Sequence, residues 1–90
     1  MTNDTTMNDT FIEVSELLMF IKGNKTVPRN IRRAADESND ILTNEKEDET
    51  VRASAVILTL GEISNDPNIP VHARTLIWEI LSKLESIKAN

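Results

Sequence analysis

Two stretches 42 residues apart constrain this chain more than anything else in it: Val27-Pro28-Arg29-Asn30-Ile31-Arg32-Arg33-Ala34-Ala35 is echoed in outline by Ile69-Pro70-Val71-His72-Ala73-Arg74. With that shift Val14 falls on Val56, Leu18 on Leu60, Ile21 on Ile63, Pro28 on Pro70, Arg32 on Arg74, Glu37 on Glu79 and Leu42 on Leu84. Two helix pairs of similar length match apolar positions by chance, but helical periodicity requires neither the shared proline nor the shared arginine. The chain therefore reads as one helical hairpin used twice.

Each half supplies two amphipathic stretches. Phe11, Val14, Leu17, Leu18 and Ile21 recur at three- and four-residue spacings and form one apolar stripe. Asp9 or Thr10 is placed to cap that helix, with Glu13 able to close a capping box on Thr10, and Gly23-Asn24 to stop it. A second helix is expected from about Pro28, whose missing amide suits a first turn, with Ile31, Ala34, Ala35, Ser38, Ile41 and Leu42 inward. Asn44 with Glu47 predicts the start of a third helix and would set the acidic run Glu45 to Glu49 on its positive end. That helix carries Val51, Ala53, Ala55, Val56, Ile57, Leu58, Leu60 and Ile63, apolar over more than half its circumference, and is expected to be the most buried of the four. After the turn Ser64 to Asn68, Pro70 opens a fourth helix with Ala73, Leu76, Ile77, Ile80, Leu81, Leu84 and Ile87 on one face. Residues 1–10 read as a mobile polar tail and 11–90 as a single helical domain.

Composition excludes several classes. A chain of 90 residues supports one core, which buries roughly 60–65 % of the unfolded surface. The absence of cysteine removes disulfides, thiolate zinc sites and a cysteine nucleophile, and fits a reducing cytoplasm. No apolar run approaches the ~20 residues of a membrane span, so a cytoplasmic protein without membrane association is expected. Two glycines leave no room for a phosphate-binding loop, and no serine lies in a nucleophile elbow. No cofactor, metal or catalytic residue is assigned, and an enzyme is not expected.

The arginine-alanine pattern of Ile31-Arg32 with Ala35, and more weakly Ala73-Arg74, resembles HEAT repeats, helical hairpins of about 40 residues. Thr26 and Asn68 stand where such units carry an aspartate, and two units are few for a solenoid, which favours closing the pairs into a bundle. Residues 11 to 88, with Val27 to Ala35 and Asn65 to Trp78 as the most specific stretches, also look like a small family of uncharacterised archaeal proteins of about this length. The resemblance implies an all-helical domain in an archaeal cytoplasm and carries no activity. The expected fold is thus all-α, an antiparallel four-helix bundle of two HEAT-like hairpins.

One feature breaks a local rule. Between Lys25 and Arg33 lie four positive charges and no negative one, at a helix N-terminus where the backbone dipole favours acids. Asp36, Glu37 and Asp40 gather instead toward the other end, leaving only weak pairs of Arg32 with Asp36 and Arg33 with Glu37. Departures from local preference are enriched at functional sites, which makes Lys25, Arg29, Arg32 and Arg33 the candidate site for an anionic partner. The competing account is internal pairing with the acidic run near Glu45. Trp78 lies off the inward stripe on a flank with Val71, Arg74 and Leu81, either against another chain or over the end of its own core. The solitary His72 has no metal-ligand spacing, and Asp36, Glu37, Asp40, Glu45 and Glu47 lack the glycine-punctuated loop of a calcium site. A protein-protein interaction module is therefore expected, with a weak homodimer through Val71, Trp78 and Leu81 as one form. The alternative is nucleic-acid association through the basic turn, disfavoured by a net charge of −5 and by the lack of aromatic residues near the arginines.

Overall fold

The structure, a computed structural model, describes residues 8–88 and folds them into four helices: α1 (Asp9–Lys22), α2 (Arg29–Leu42), α3 (Glu49–Ile63) and α4 (Val71–Lys88). Short connections make sequential helices neighbours, and α4 returns to pack on α1, so the four close into a ring. Side-chain pairs fix the directions. Ser15 Oγ donates to Asn39 Oδ1 at 2.7 Å and Lys22 meets Asp36 at 2.8 Å, which sets α1 antiparallel to α2. Lys83 meets Glu13 at 2.9 Å while Thr26 Oγ1 lies 3.3 Å from His72 Nε2, so α4 is antiparallel to α1 as well. The expected four-helix bundle is the observed one.

The core is built from one stripe per helix. Phe11, Val14, Leu18 and Ile21 face Ile31, Ala35 and Leu42, then Ala53, Val56 and Leu60, then Ala73, Ile77, Ile80 and Leu84. The buried alanines on α2, α3 and α4 let the axes approach, and Val27 and Ile69 plug one end from the connections. The stripes expected on α1, α2 and α4 are the ones observed. The third helix corrects the reading of it as most buried, since Leu58 is 68 % and Val51 50 % exposed. In a ring every helix has two neighbours and one inward stripe, and no helix is central. Among the described residues no helix is long and apolar enough to cross a membrane.

The ends of the helices are set by a motif that occurs three times. In each connection an Asx oxygen accepts the amide two residues on: Asn24 from Thr26 at 3.0 Å, Asn44 from Lys46 at 3.2 Å, Asp66 from Asn68 at 2.8 Å. The backbone amide three residues on closes the turn in all three, and eight residues beyond each Asx stands an arginine, Arg32, Arg52 and Arg74. Each guanidinium reaches back to a carbonyl of the preceding connection or helix end. Arg32 Nε donates to Val27 at 2.9 Å, Arg52 Nη1 to Leu42 at 2.8 Å, and Arg74 Nε to Ser64 at 3.3 Å. Carbonyls that helical bonding leaves without donors are thereby satisfied.

Of three local expectations about helix ends, two are corrected and one is met. Asn44 belongs to a turn rather than capping α3, which begins five residues later at Glu49, and Glu45 to Asp48 are exposed connection residues. Gly23 and Asn24 end α1 as expected, but without a left-handed glycine, since Gly23 has φ −86° and the Asn24 turn closes the helix end. Asn8 rather than Asp9 or Thr10 caps α1, accepting the Thr10 amide at 2.7 Å. The tail assigned to residues 1–10 thus gives up Asn8, Asp9 and Thr10 to the first helix and its cap, and residues 1–7 lie outside the described range.

Candidate functional site

Helix α2 begins without a side-chain cap, behind Pro28, with Arg29, Arg32 and Arg33 in its first turns. Its inward residues Ile31, Ala34 and Ala35 rotate those cations to different environments. Arg32 is half-buried and bound to the Val27 carbonyl, so it belongs to the turn. Arg29 and Arg33 are exposed, as is Lys25 in the connection, and among the described residues none of the three forms an ion pair with a carboxylate. Together with Lys22, Arg32 and Asp36, Arg29 and Arg33 line a shallow depression of about 300 Å³ along the α1–α2 seam.

Electrostatics there differ from the pairings suggested by spacing. Asp36 pairs with Lys22 of α1 rather than with Arg32 of its own helix, and the Lys22 ammonium is held above its ordinary range, first by the hydrogen bond to Asp36 and then by its charge. Among the described residues no ion pair joins these cations to the run near Glu45. That run lies at the opposite end of α2, whose 14 residues span about 21 Å.

The remaining candidates are dispersed. Arg74 is half-buried and engaged with the Ser64 and Asp66 carbonyls, at 3.3 and 3.5 Å. Trp78 is 57 % exposed on α4, and α2 and α4 lie across the diagonal of the bundle, so the indole and the α2 arginines occupy different surfaces. His72 is exposed beside Thr26. Among the described residues no cluster of three or more histidine, aspartate or glutamate side chains is arranged to hold a metal ion.

Two features escaped the sequence reading. Arg52 is the third member of the arginine series, and aligning Asn24, Asn44 and Asp66 rather than the prolines reveals it. It is 8 % exposed, with its guanidinium 5.1 Å from the Phe11 ring centroid. The second is a groove of about 490 Å³ between α1 and α4, lined by Glu13, Glu16, Leu17, Phe20, Leu76, Glu79 and Lys83. Its only sequence signal is Phe20, a large apolar residue off the α1 stripe.

Comparison with known proteins places the chain among relatives of similar build. It is 69 % identical to a UPF0147 protein of Methanothermobacter thermautotrophicus over 81 residues, covering 90 % of this chain and 79 % of the relative. A UPF0147 protein of Thermococcus kodakarensis is 55 % identical over 62 residues, 69 % of this chain and 75 % of the relative. Among solved structures, the unknown function protein MMP1188 superposes with a TM-score of 0.86 at 44 % identity, covering 94 % of this chain and 99 % of the other. A member of the uncharacterized family UPF0147 from Thermoplasma acidophilum gives 0.85 at 40 % identity, covering 88 % and 93 %. The model of the uncharacterised protein family UPF0147 matches residues 1–87, and the chain belongs to that family.

Proposed function

We propose that this protein is a non-catalytic, cytoplasmic interaction module that receives an anionic surface of a partner protein on the cationic end of α2. The observation that carries the reading is the exposure of Lys25, Arg29 and Arg33 without carboxylate partners among the described residues, in a chain with 15 acidic residues and 10 basic ones. A surplus of carboxylates makes internal neutralisation easy, yet Asp36 turns to Lys22. The dipole of α2 adds positive potential to the same end. Carboxylates of a partner would relieve both. A cysteine-free sequence supports the cytoplasmic setting.

The test is affinity recovery from native extract with the wild-type chain and with Arg29→Gln/Arg33→Gln, each with and without nuclease. The expected result is a protein partner retained after nuclease and lost with the double variant, whose melting temperature equals or slightly exceeds that of wild type. A partner whose recovery requires nucleic acid, with affinity falling steeply as salt rises, would instead establish the nucleic-acid reading. A clear drop in melting temperature with recovery unchanged would return both arginines to a structural role.

A further inference from the structure

We infer that the α1–α4 groove is a docking site for a cationic amphipathic helix of a partner protein, a surface distinct from the cationic end of α2 and opposite to it in sign. Its floor is apolar and open. Leu17 and Leu76 are half-buried, and Phe20, one turn beyond Leu17, is 59 % exposed. A large exposed ring between polar walls is the pattern of a contact surface. The walls are acidic on both sides, with Glu13 and Glu16 on α1 and Glu79 on α4 against the single ammonium of Lys83. Lys83 bonds Glu13 at 2.9 Å and also feels the charge of Glu79, four residues back on α4, so three carboxylates share one ammonium and Glu16 flanks the floor without an ion-pair partner among the described residues.

The geometry selects a helix. Glu13 to Phe20 spans about 10 Å along α1, which presents roughly two turns to an occupant lying in the cleft of two antiparallel helices. Aliphatic residues at three- and four-residue spacing would meet Leu17, Phe20 and Leu76, while lysine or arginine on either flank would meet Glu16 and Glu79. A phosphate backbone or an anionic lipid surface is repelled by the same carboxylates. The chain's own cationic segment does not match, since the large apolar residue within it, Ile31, is 1 % exposed.

The experiment titrates the isotopically labelled full chain with two synthetic peptides of about 14 residues, sharing their leucine positions and carrying lysine or glutamate at the flanking positions. Amide shifts at residues 13–20 and 76–83, with the lysine peptide bound at least about tenfold more tightly, are expected. Glu16→Lys/Glu79→Lys should reverse the preference between the peptides, and Phe20→Ser should weaken both, with helical signal unchanged in each variant. Shifts confined to another face, equal affinity for the two peptides, no binding at millimolar peptide, or a preference that survives the charge reversal would overturn the inference. So would sedimentation showing this groove closed by a second copy of the chain.

Discussion

Replacing Arg52 with alanine removes a side chain that is 8 % exposed, stacks its guanidinium 5.1 Å from the Phe11 centroid and donates from Nη1 to the Leu42 carbonyl at 2.8 Å. The charged hydrogen bond contributes roughly 1.5–3 kcal/mol and the desolvated cation–π contact roughly 1–2 kcal/mol. Against them stands the cost of burying a cation that pairs with no carboxylate among the described residues and whose Nε has no acceptor. We therefore expect Arg52→Ala to lose about 2–3 kcal/mol, since it also empties the space of the aliphatic stem and leaves the Leu42 carbonyl without its donor. Arg52→Met keeps an aliphatic stem in the buried space and discards the desolvation cost, so it should fall within about 1 kcal/mol of wild type. Arg52→Lys, which cannot reproduce the planar fork, should lie between them. Urea denaturation monitored by helical circular dichroism, with the slope checked for constancy, measures all three. An alanine variant within about 0.5 kcal/mol of wild type, or a methionine variant as damaged as alanine, would refute the assignment of this arginine as a packed helix-end donor.

Leu60, 1 % exposed, should cost roughly 2–5 kcal/mol as Leu60→Ala, whereas Leu81, half-buried against the edge of the core, should cost distinctly less in the same denaturation series. Asp66 is held below its ordinary value, first by the Asn68 amide and then by the Asn30 side chain. The sign follows from the lowered value: its stabilising contribution is present above its unfolded value and is lost as pH falls through the lower folded one. Asp66→Asn should leave stability near neutral pH almost unchanged, because Asn24 and Asn44 serve the same turn in the other connections, and should flatten the fall in melting temperature in the acid range. An unaltered acid limb, or a large loss at neutral pH, would show that the Asp66 turn works differently from its two counterparts.

Much of the bundle is legible in the chain because it is local. The spacing Ile31, Ala34, Ala35, Ser38, Leu42 specifies one face of α2 without knowledge of its neighbours, and the same holds for α1 and α4. Asn44 misled because an asparagine oxygen can serve a helix cap or a turn, and the geometry of the connection decides between them. On α3 the periodicity is ambiguous, since apolar residues cover more than half the circumference, and only the positions of α2 and α4 send Val51 and Leu58 outward. The candidate site divides along the same line. That cations gather at the start of α2 is written in the order of residues, but which are free for a partner is not: Arg32 and Arg74 are drawn to carbonyls in the connections while Arg29 and Arg33, within one helical turn of Arg32, stay in solvent. The α1–α4 groove is decided wholly by tertiary structure. It joins Phe20 to Leu76 and Glu13 to Lys83, residues that meet because four stripes of equal standing bury most apolar surface by closing into a ring, a property of the assembled helices that no single stretch of chain contains.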